Sequence, residues 1–292
     1  MSGTARLRVA FQGELGSFSD EAIQQLWGDA VERLPCRDVG DVTAAVAAGE
    51  ADAGLLPFEN TMVGSIIASH DALAASDGLV VTAETVVQVQ HCLLGAEGAS
   101  LETVTSVLVH PIALEQCGQW FAAHPGVDVQ AVYDTAGAAM DVSRVVDPAI
   151  ACVASRRAAH HYGLRVLAPD IQDRPDNQTR FLAVARETPP LAPGTPVRTL
   201  LTLRVADAPG SLLRALTPLA THGVSIRRLE SRPTGEPWTY RFFIEFDHAA
   251  GDADAAAVLR ELATQAPEAR HRGTFPRWQP GRRGSVGWTR QM

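Results

Sequence analysis

The chain has 292 residues, 46% of them hydrophobic and 20% charged, with a formal net charge of −8 at pH 7. That length suits two domains with real cores. An acidic chain with no basic stripe excludes a nucleic-acid binder, which needs cations to release counterions. The opening MSGTARLRVAF has no apolar run long enough for a signal peptide or a membrane span. Cys36, Cys92, Cys117 and Cys152 are far apart and form no CxxC, so reduced, mostly buried thiols in a cytoplasmic protein are expected.

Strand candidates in the first part of the chain are LRVAF (7–11), AGLLPF (53–58), LVVTAETVVQV (79–89), VTSVLV (104–109), VDVQAVY (127–133), AIACVA (149–154) and RFLAVA (180–185). Helical segments fall between them at 19–33, 41–48, 64–75, 111–123, 135–146 and 155–161. The alternation predicts an α/β fold with a mostly parallel sheet covered on both faces. In such folds ligands sit beyond the strand C-termini, against helix N-termini. Pro189, Pro190, Pro193 and Pro196 crowd one short stretch, which marks a linker over 188–197. After it come RTLLTLRVA (198–206), a helix over 210–222, VSIRRLESR (224–232), YRFFIEFD (240–247), a helix over 252–264 and a weak strand before Pro276. That order is βαββαβ, a ferredoxin-like unit. The Gly/Arg-rich tail 277–292 is expected to be disordered.

Six blocks carry turns and polar groups together: GELGSFSDEA (13–22), LLPFENTMVGSI (56–67), HPIALEQC (110–117), NQTRF (177–181), APGSLLRAL (208–216) and LESRP (229–233). In this order they resemble prephenate dehydratase carrying a C-terminal ACT regulatory domain, over roughly residues 7 to 276. The resemblance implies a two-lobed, periplasmic-binding-protein-like catalytic domain over 1–187 and an ACT domain over 198–276. The lobes would be 1–82 joined by 168–187, and 83–167. It implies a carbon–oxygen lyase that converts prephenate to phenylpyruvate in phenylalanine biosynthesis, with phenylalanine as effector.

Prephenate carries two carboxylates and a hydroxyl on a cyclohexadiene ring. Its dehydration needs anion-binding donors, an apolar slot and a group that helps hydroxide leave; the chemistry requires no metal, nucleotide or redox cofactor. Thr179 matches the catalytic threonine of the family, and its hydroxyl can donate to the departing oxygen. The bland alternative is a threonine that merely opens a strand. Arg180 would pair with a substrate carboxylate or form a structural ion pair; Phe181, also placed at the site by the resemblance, is most simply core. Glu59 and Asn60 match the family's substrate-binding pair, and Asn60 could also cap the helix that follows, the two roles being compatible. Ser17 could donate to an anion, capping being the safer reading. The resemblance adds Gln116 and Thr135 to the cleft.

The chain departs from the family at Val109, where the pattern often has Ser or Thr. Losing one hydrogen bond there would cost about 0.5–1.5 kcal/mol. That departure keeps open a non-aromatising prephenate decarboxylase; arogenate is a second candidate substrate, and a non-catalytic amino-acid sensor is the rival from another class. In the second domain, Glu230-Ser231-Arg232 matches, and Gly210-Ser211-Leu212 matches apart from Ser in place of the family's Ala, the phenylalanine site between paired ACT domains; the bland alternative is a domain used only for dimerisation. A single copy of the domain therefore implies at least a homodimer.

Overall fold

The computed structural model describes residues 6–266 and 268–281. The first lobe is built on β1 (Arg8–Gln12), β2 (Glu32–Cys36), β3 (Ala53–Asn60), the short β4 (Gly64–Ser65), β5 (Val80–Gln88) and β11 (Gln178–Ala185). Its sheet runs β2-β1-β3-β11-β5, with β4 folded back on β3 as a hairpin. Helix α1 (Phe18–Trp27) covers one face, where Ala22, Ile23 and Leu26 pack on Val9, Phe11, Leu55 and Phe181. Helices α2 (Val39–Ala48) and α3 (Ile67–Ala75) cover part of the other. The second lobe has the sheet order β10-β6-β9-β7-β8, from β6 (Cys92–Gly95), β7 (Ser106–Val109), β8 (Asp128–Ala131), β9 (Ile150–Ala154) and β10 (Arg165–Ala168). Helices α4 (Pro111–Gln116), α5 (Gly118–Ala123), α6 (Thr135–Val145) and α7 (Arg156–Tyr162) surround it.

Several expectations change. The sheets are mixed: β1 pairs parallel with β2 and β3, but β11 runs antiparallel to both β3 and β5. The cause is connectivity, since β11 returns from the second lobe and is inserted between two strands of the first. The lobe crossing falls after Gln88 rather than at 82–83, because all of β5 belongs to the first sheet. The expected helix 19–33 stops at Gly28 (φ 71°), and Glu32–Cys36 forms an edge strand whose Pro35 needs no partner on its open side. The expected helix 111–123 breaks at Cys117 into α4 and α5.

The third sheet follows the βαββαβ expectation, with order β13-β14-β12-β15 from β12 (Pro196–Arg204), β13 (Ile226–Pro233), β14 (Tyr240–Ala249) and β15 (Arg270–Pro276). Helices α8 (Ser211–Thr221) and α9 (Ala253–Gln265) cover one face. The opposite face packs against the first lobe. Leu200, Phe243 and Phe275 are fully buried in one core with Phe58, Leu73, Val81 and Val184 of the first lobe. At Gly273 the strands meet so closely that a Cβ would lie 2.2 Å from the Val81 carbonyl oxygen. Residues 277–281, expected to be disordered, continue this contact: the Trp278 amide donates to Glu84 and Arg277 pairs with Asp247. The rest of the expected disordered tail, 282–292, lies outside the described residues.

Candidate functional site

The site grows from the β3–β11 pairing. Thr179 lies opposite Asn60 and Arg180 opposite Glu59, after which the register shifts so that Phe181 meets Pro57. Such a bulge re-aims side chains near its end, and it also accommodates Pro57 inside a sheet. Asn60 is the hub. Its Nδ2 donates to Thr179 Oγ1 (2.9 Å) and to Asn177 Oδ1 (2.8 Å), while its Oδ1 accepts from the amides of Met62 and Val63. The expected capping role is thus made on the hairpin turn rather than on a helix. Because Thr179 Oγ1 is an acceptor from Asn60, its own proton is left to donate elsewhere.

Met62, Val63 and Asn177 line a cleft of about 280 Å³ whose far wall is Ile112, Glu115 and Gln116 of the second lobe, with Gln172, Asp173 and Arg174 from the returning chain. Gln116 is fixed there by His91, Nε2 to Oε1 at 2.9 Å. His91 is 2% exposed, and burial pushes its imidazole pKa down, so it stays neutral. Its ring also meets Phe18 edge to face, beside Ser17. Ser17 itself caps α1, accepting from the Asp20 amide, the safer of its two expected roles. Asp20, 2% exposed, ties the lobes together: it accepts from the Gly16 amide and pairs with Arg33 of its own lobe and with Arg157 of the other. Burial would raise its pKa, but Arg157, Gly16 and Arg33 hold the carboxyl below its usual range.

The structure does not bring every expected residue to the cleft. Phe181 is 2% exposed in the core beneath α1, on the side opposite Arg180. Arg180 is turned toward the regulatory domain, where it pairs with Glu84 (2.7 Å) and with both carboxylate oxygens of Glu245 (3.1 and 2.7 Å). The structural ion pair is therefore its role, and the substrate-carboxylate expectation is corrected by strand alternation, which sends Thr179 and Arg180 to opposite faces. Burial alone would raise the Glu245 carboxyl, but Arg180, Arg198 and Arg228 keep it below the ordinary value. Glu59 stands on the Arg180 face, 3.7 Å from that guanidinium and 3.9 Å from Arg228. Thr135 opens α6 behind its capping neighbour Asp134, and among the described residues its side chain hydrogen-bonds to none of the cluster.

Val109 is fully buried in the second lobe's core, beside Val107, Ala113 and Cys117. A hydroxyl at that position would face packing atoms, so its loss removes no donor from the cleft. His110 caps α4 through Nδ1, as its Pro111 neighbour leads one to expect.

Sequence reasoning missed Asn177 and His91. Asn177 precedes Thr179 by two residues, and the period-two rule could have put both on one face. His91 carries no local signal, because its partners Phe18 and Gln116 come from distant segments. In the third sheet the residues of β13 alternate: Arg228, Glu230 and Arg232 face the first lobe, while Leu229 and Ser231 face away. Glu230 is hydrogen-bonded to Ser65 and Arg232 to Asp71, so within one chain only Ser231 of the expected trio is turned to the outer side. Gly210 (φ 77°) opens α8, with Ser211 accepting from Arg214.

These features define a class: a two-lobed α/β domain with a polar cleft between its lobes, fused to a βαββαβ regulatory domain. The prephenate dehydratase family model matches residues 9–189 and the ACT domain model residues 199–264. The chain is 35% identical over 288 residues to an arogenate dehydratase/prephenate dehydratase of Arabidopsis thaliana, covering 94% of this chain and 74% of that one. It is 33% identical over 282 residues to a prephenate dehydratase of Mycobacterium tuberculosis, covering 92% and 87%. The crystal structure of an Arthrobacter aurescens prephenate dehydratase in complex with L-Phe superposes with a TM-score of 0.84 at 34% identity, covering 93% of this chain and 90% of that one. The chain belongs to the prephenate dehydratase family and carries its ACT domain.

Proposed function

We propose that the cleft turns prephenate into phenylpyruvate, and that Thr179 is the group acting on the leaving oxygen. The C–CO₂⁻ bond breaks and carbon dioxide leaves, the bond's electrons complete the aromatic ring, and the ring hydroxyl departs as water; the one proton this consumes comes from solvent and is relayed through the threonine hydroxyl, which ends the step protonated. Asn60 carries this reading: one amide holds the Thr179 oxygen as acceptor and also holds Asn177 of the cleft wall. Gln116 and Asn177 are the neutral donors on the cleft wall for the substrate's carboxylates, and Arg174, which pairs with Asp176 at 2.6 Å, is the cation lining the same cleft. Val109, deep in the core, gives the decarboxylase reading no support. Glu115 and Asp173 on the cleft wall keep arogenate as the second substrate to test, since they would meet its ammonium. Purified protein given each substrate in turn, with the product identified by mass and ultraviolet spectrum, decides among these readings. A product that keeps its ring hydroxyl, or no turnover of either substrate, would overturn the dehydratase.

Phenylalanine is the effector in this reading, held between the Gly210–Leu212 turn of one copy and the outer face of β13 around Ser231 of another. Support for a homodimer comes from the apolar strip along α8 and edge strand β13: Leu213 is 72% and Leu229 45% exposed, beside a groove lined by Leu216, Ala220, Val224 and Ile226. Light scattering with and without phenylalanine tests it; a monomer at micromolar concentration would sink the paired site. We place the catalytic domain at 1–187, the linker at 188–197 and the regulatory domain at 198–276. All four cysteines are free thiols, which suits a reducing cytoplasm, and among the described residues no helix is long and apolar enough to cross a membrane.

A further inference from the structure

The regulatory strand β13 does more than close a sheet. Its inward side chains grip the hairpin that forms one wall of the cleft. Arg228 Nη2 donates to Ser65 Oγ (2.6 Å) and to Glu230 (2.7 Å), and Glu230 accepts a second hydrogen bond from the same Ser65 hydroxyl. Arg228 Nη1 meets His70 Nε2 at 2.6 Å, and the guanidinium lies 5.0 Å over the Phe58 ring. Ser65 belongs to β4, which pairs with Glu59 and Asn60 of β3; the turn between them carries Met62 and Val63.

We propose that Arg228 and Glu230 are positioning residues for the substrate cleft: from the regulatory domain they hold Ser65, and through it the 60–65 hairpin that presents Met62 and Val63 to the ligand. Within its own lobe the hairpin is held through its first arm, by Asn60 to the Met62 and Val63 amides and by Thr61 to Asp176 and Gln178, whereas the Ser65 side chain of its return arm is held from β13. Met62 and Val63 are 38% and 54% exposed, and β4 is only two residues long. A two-stranded ribbon of that size is marginal without outside support. The charged partners are themselves largely shielded, with the Arg228 side chain 11% and Glu230 22% exposed, so their hydrogen bonds are not dissolved by salt. One face of β13 therefore belongs to the cleft's architecture while its other face, with Leu229 and Ser231, stays open to a partner or effector. The kinetic arm rests on the prephenate reading above; the exchange arm does not.

The test compares full-length protein with Ser65→Ala, Ser65→Thr and Glu230→Gln. Amide hydrogen exchange over residues 60–66 should rise at least tenfold in Ser65→Ala and Glu230→Gln, with exchange in β11 unchanged. The value of kcat/KM for prephenate should fall fivefold or more, chiefly through KM, and Ser65→Thr should restore both. Unchanged exchange over 60–66 would overturn the proposal, and faster exchange with unchanged KM would remove the hairpin from the substrate wall. If the unaltered protein turns over no prephenate, the functional reading fails while the exchange measurement still decides whether β13 holds the hairpin.

Discussion

Thr179 accepts one hydrogen bond and keeps one proton to give, which is what a group assisting a departing hydroxide requires. Replacing it with valine preserves shape but removes that proton. Turnover of prephenate should fall about 10²–10⁴-fold, the usual contribution of a general acid. The stability cost should be only about 1 kcal/mol, for the lost bond to Asn60. Thr179→Ser, assayed alongside for phenylpyruvate, should retain most of the activity; equal loss in both variants would argue for packing instead of chemistry. His70 illustrates a different effect at the same scale. It is fully buried, stacked on Phe58, and burial pulls its pKa from 6.5 to about 4. Arg228 contributes to that lowering, which prevails over the opposing pull of the Ile66 carbonyl, Glu230 and Glu245. The unfolded chain binds a proton below pH 6.5 that the fold excludes until about 4, so stability must fall as pH drops through that window. From pH 7 to 5 this one group should cost about 2 kcal/mol, with His91 and His271 acting in the same direction. Thermal melting over that range should show the decline, and His70→Gln should flatten it.

At the scale of elements, the pairing of β11 between β3 and β5 sorts the TRF run into three environments: Thr179 toward Asn60, Arg180 into the interdomain ion pairs, Phe181 into the core. The run was legible as a block, but the destination of each side chain depends on which strands flank it. Strand β15 shows how tightly elements are fitted. Gly273 has φ 143°, and its Cα approaches the Val81 backbone where no Cβ fits. Gly273→Val should destabilise the protein by about 3 kcal/mol through overpacking and backbone strain, lowering Tm in a thermal melt. A Gly273→Val protein that melts with the parent would show that the two sheets separate at little cost.

For the whole molecule, the proline-rich stretch marks a linker between two domains, yet the two share one apolar core and one buried ion-pair network. Glu84 of the first lobe is 5% exposed and Glu245 of the regulatory domain 0%; both depend on arginines from the two sides. Removing the regulatory side leaves Arg180 paired with Glu84 but takes away Glu245, and it strips Phe243 and Phe275 from the core, where losing one large apolar side chain costs about 3–5 kcal/mol. A chain truncated after residue 197 should therefore melt at least about 10 °C lower than the full protein, or aggregate. Equal stability of the two would mean that the shared core contributes nothing.

The βαββαβ unit, the family and much of the order of strands and helices were legible in the amino-acid sequence, because periodicity, turn residues and short motifs are local properties; of the residues that line the cleft, the sequence pointed to Gln116. Asn60, Gln116 and Thr179 could be named from their blocks alone. The roles of Arg180, Glu230 and Val109 could not, since the face a side chain takes depends on strand partners more than a hundred residues away. Only the tertiary structure decided that Arg180 serves the domain contact, that Val109 is core, and that the regulatory sheet completes the packing of the catalytic lobe. Burial and ion pairing across the domains are set by long-range contacts, and no local pattern encodes them.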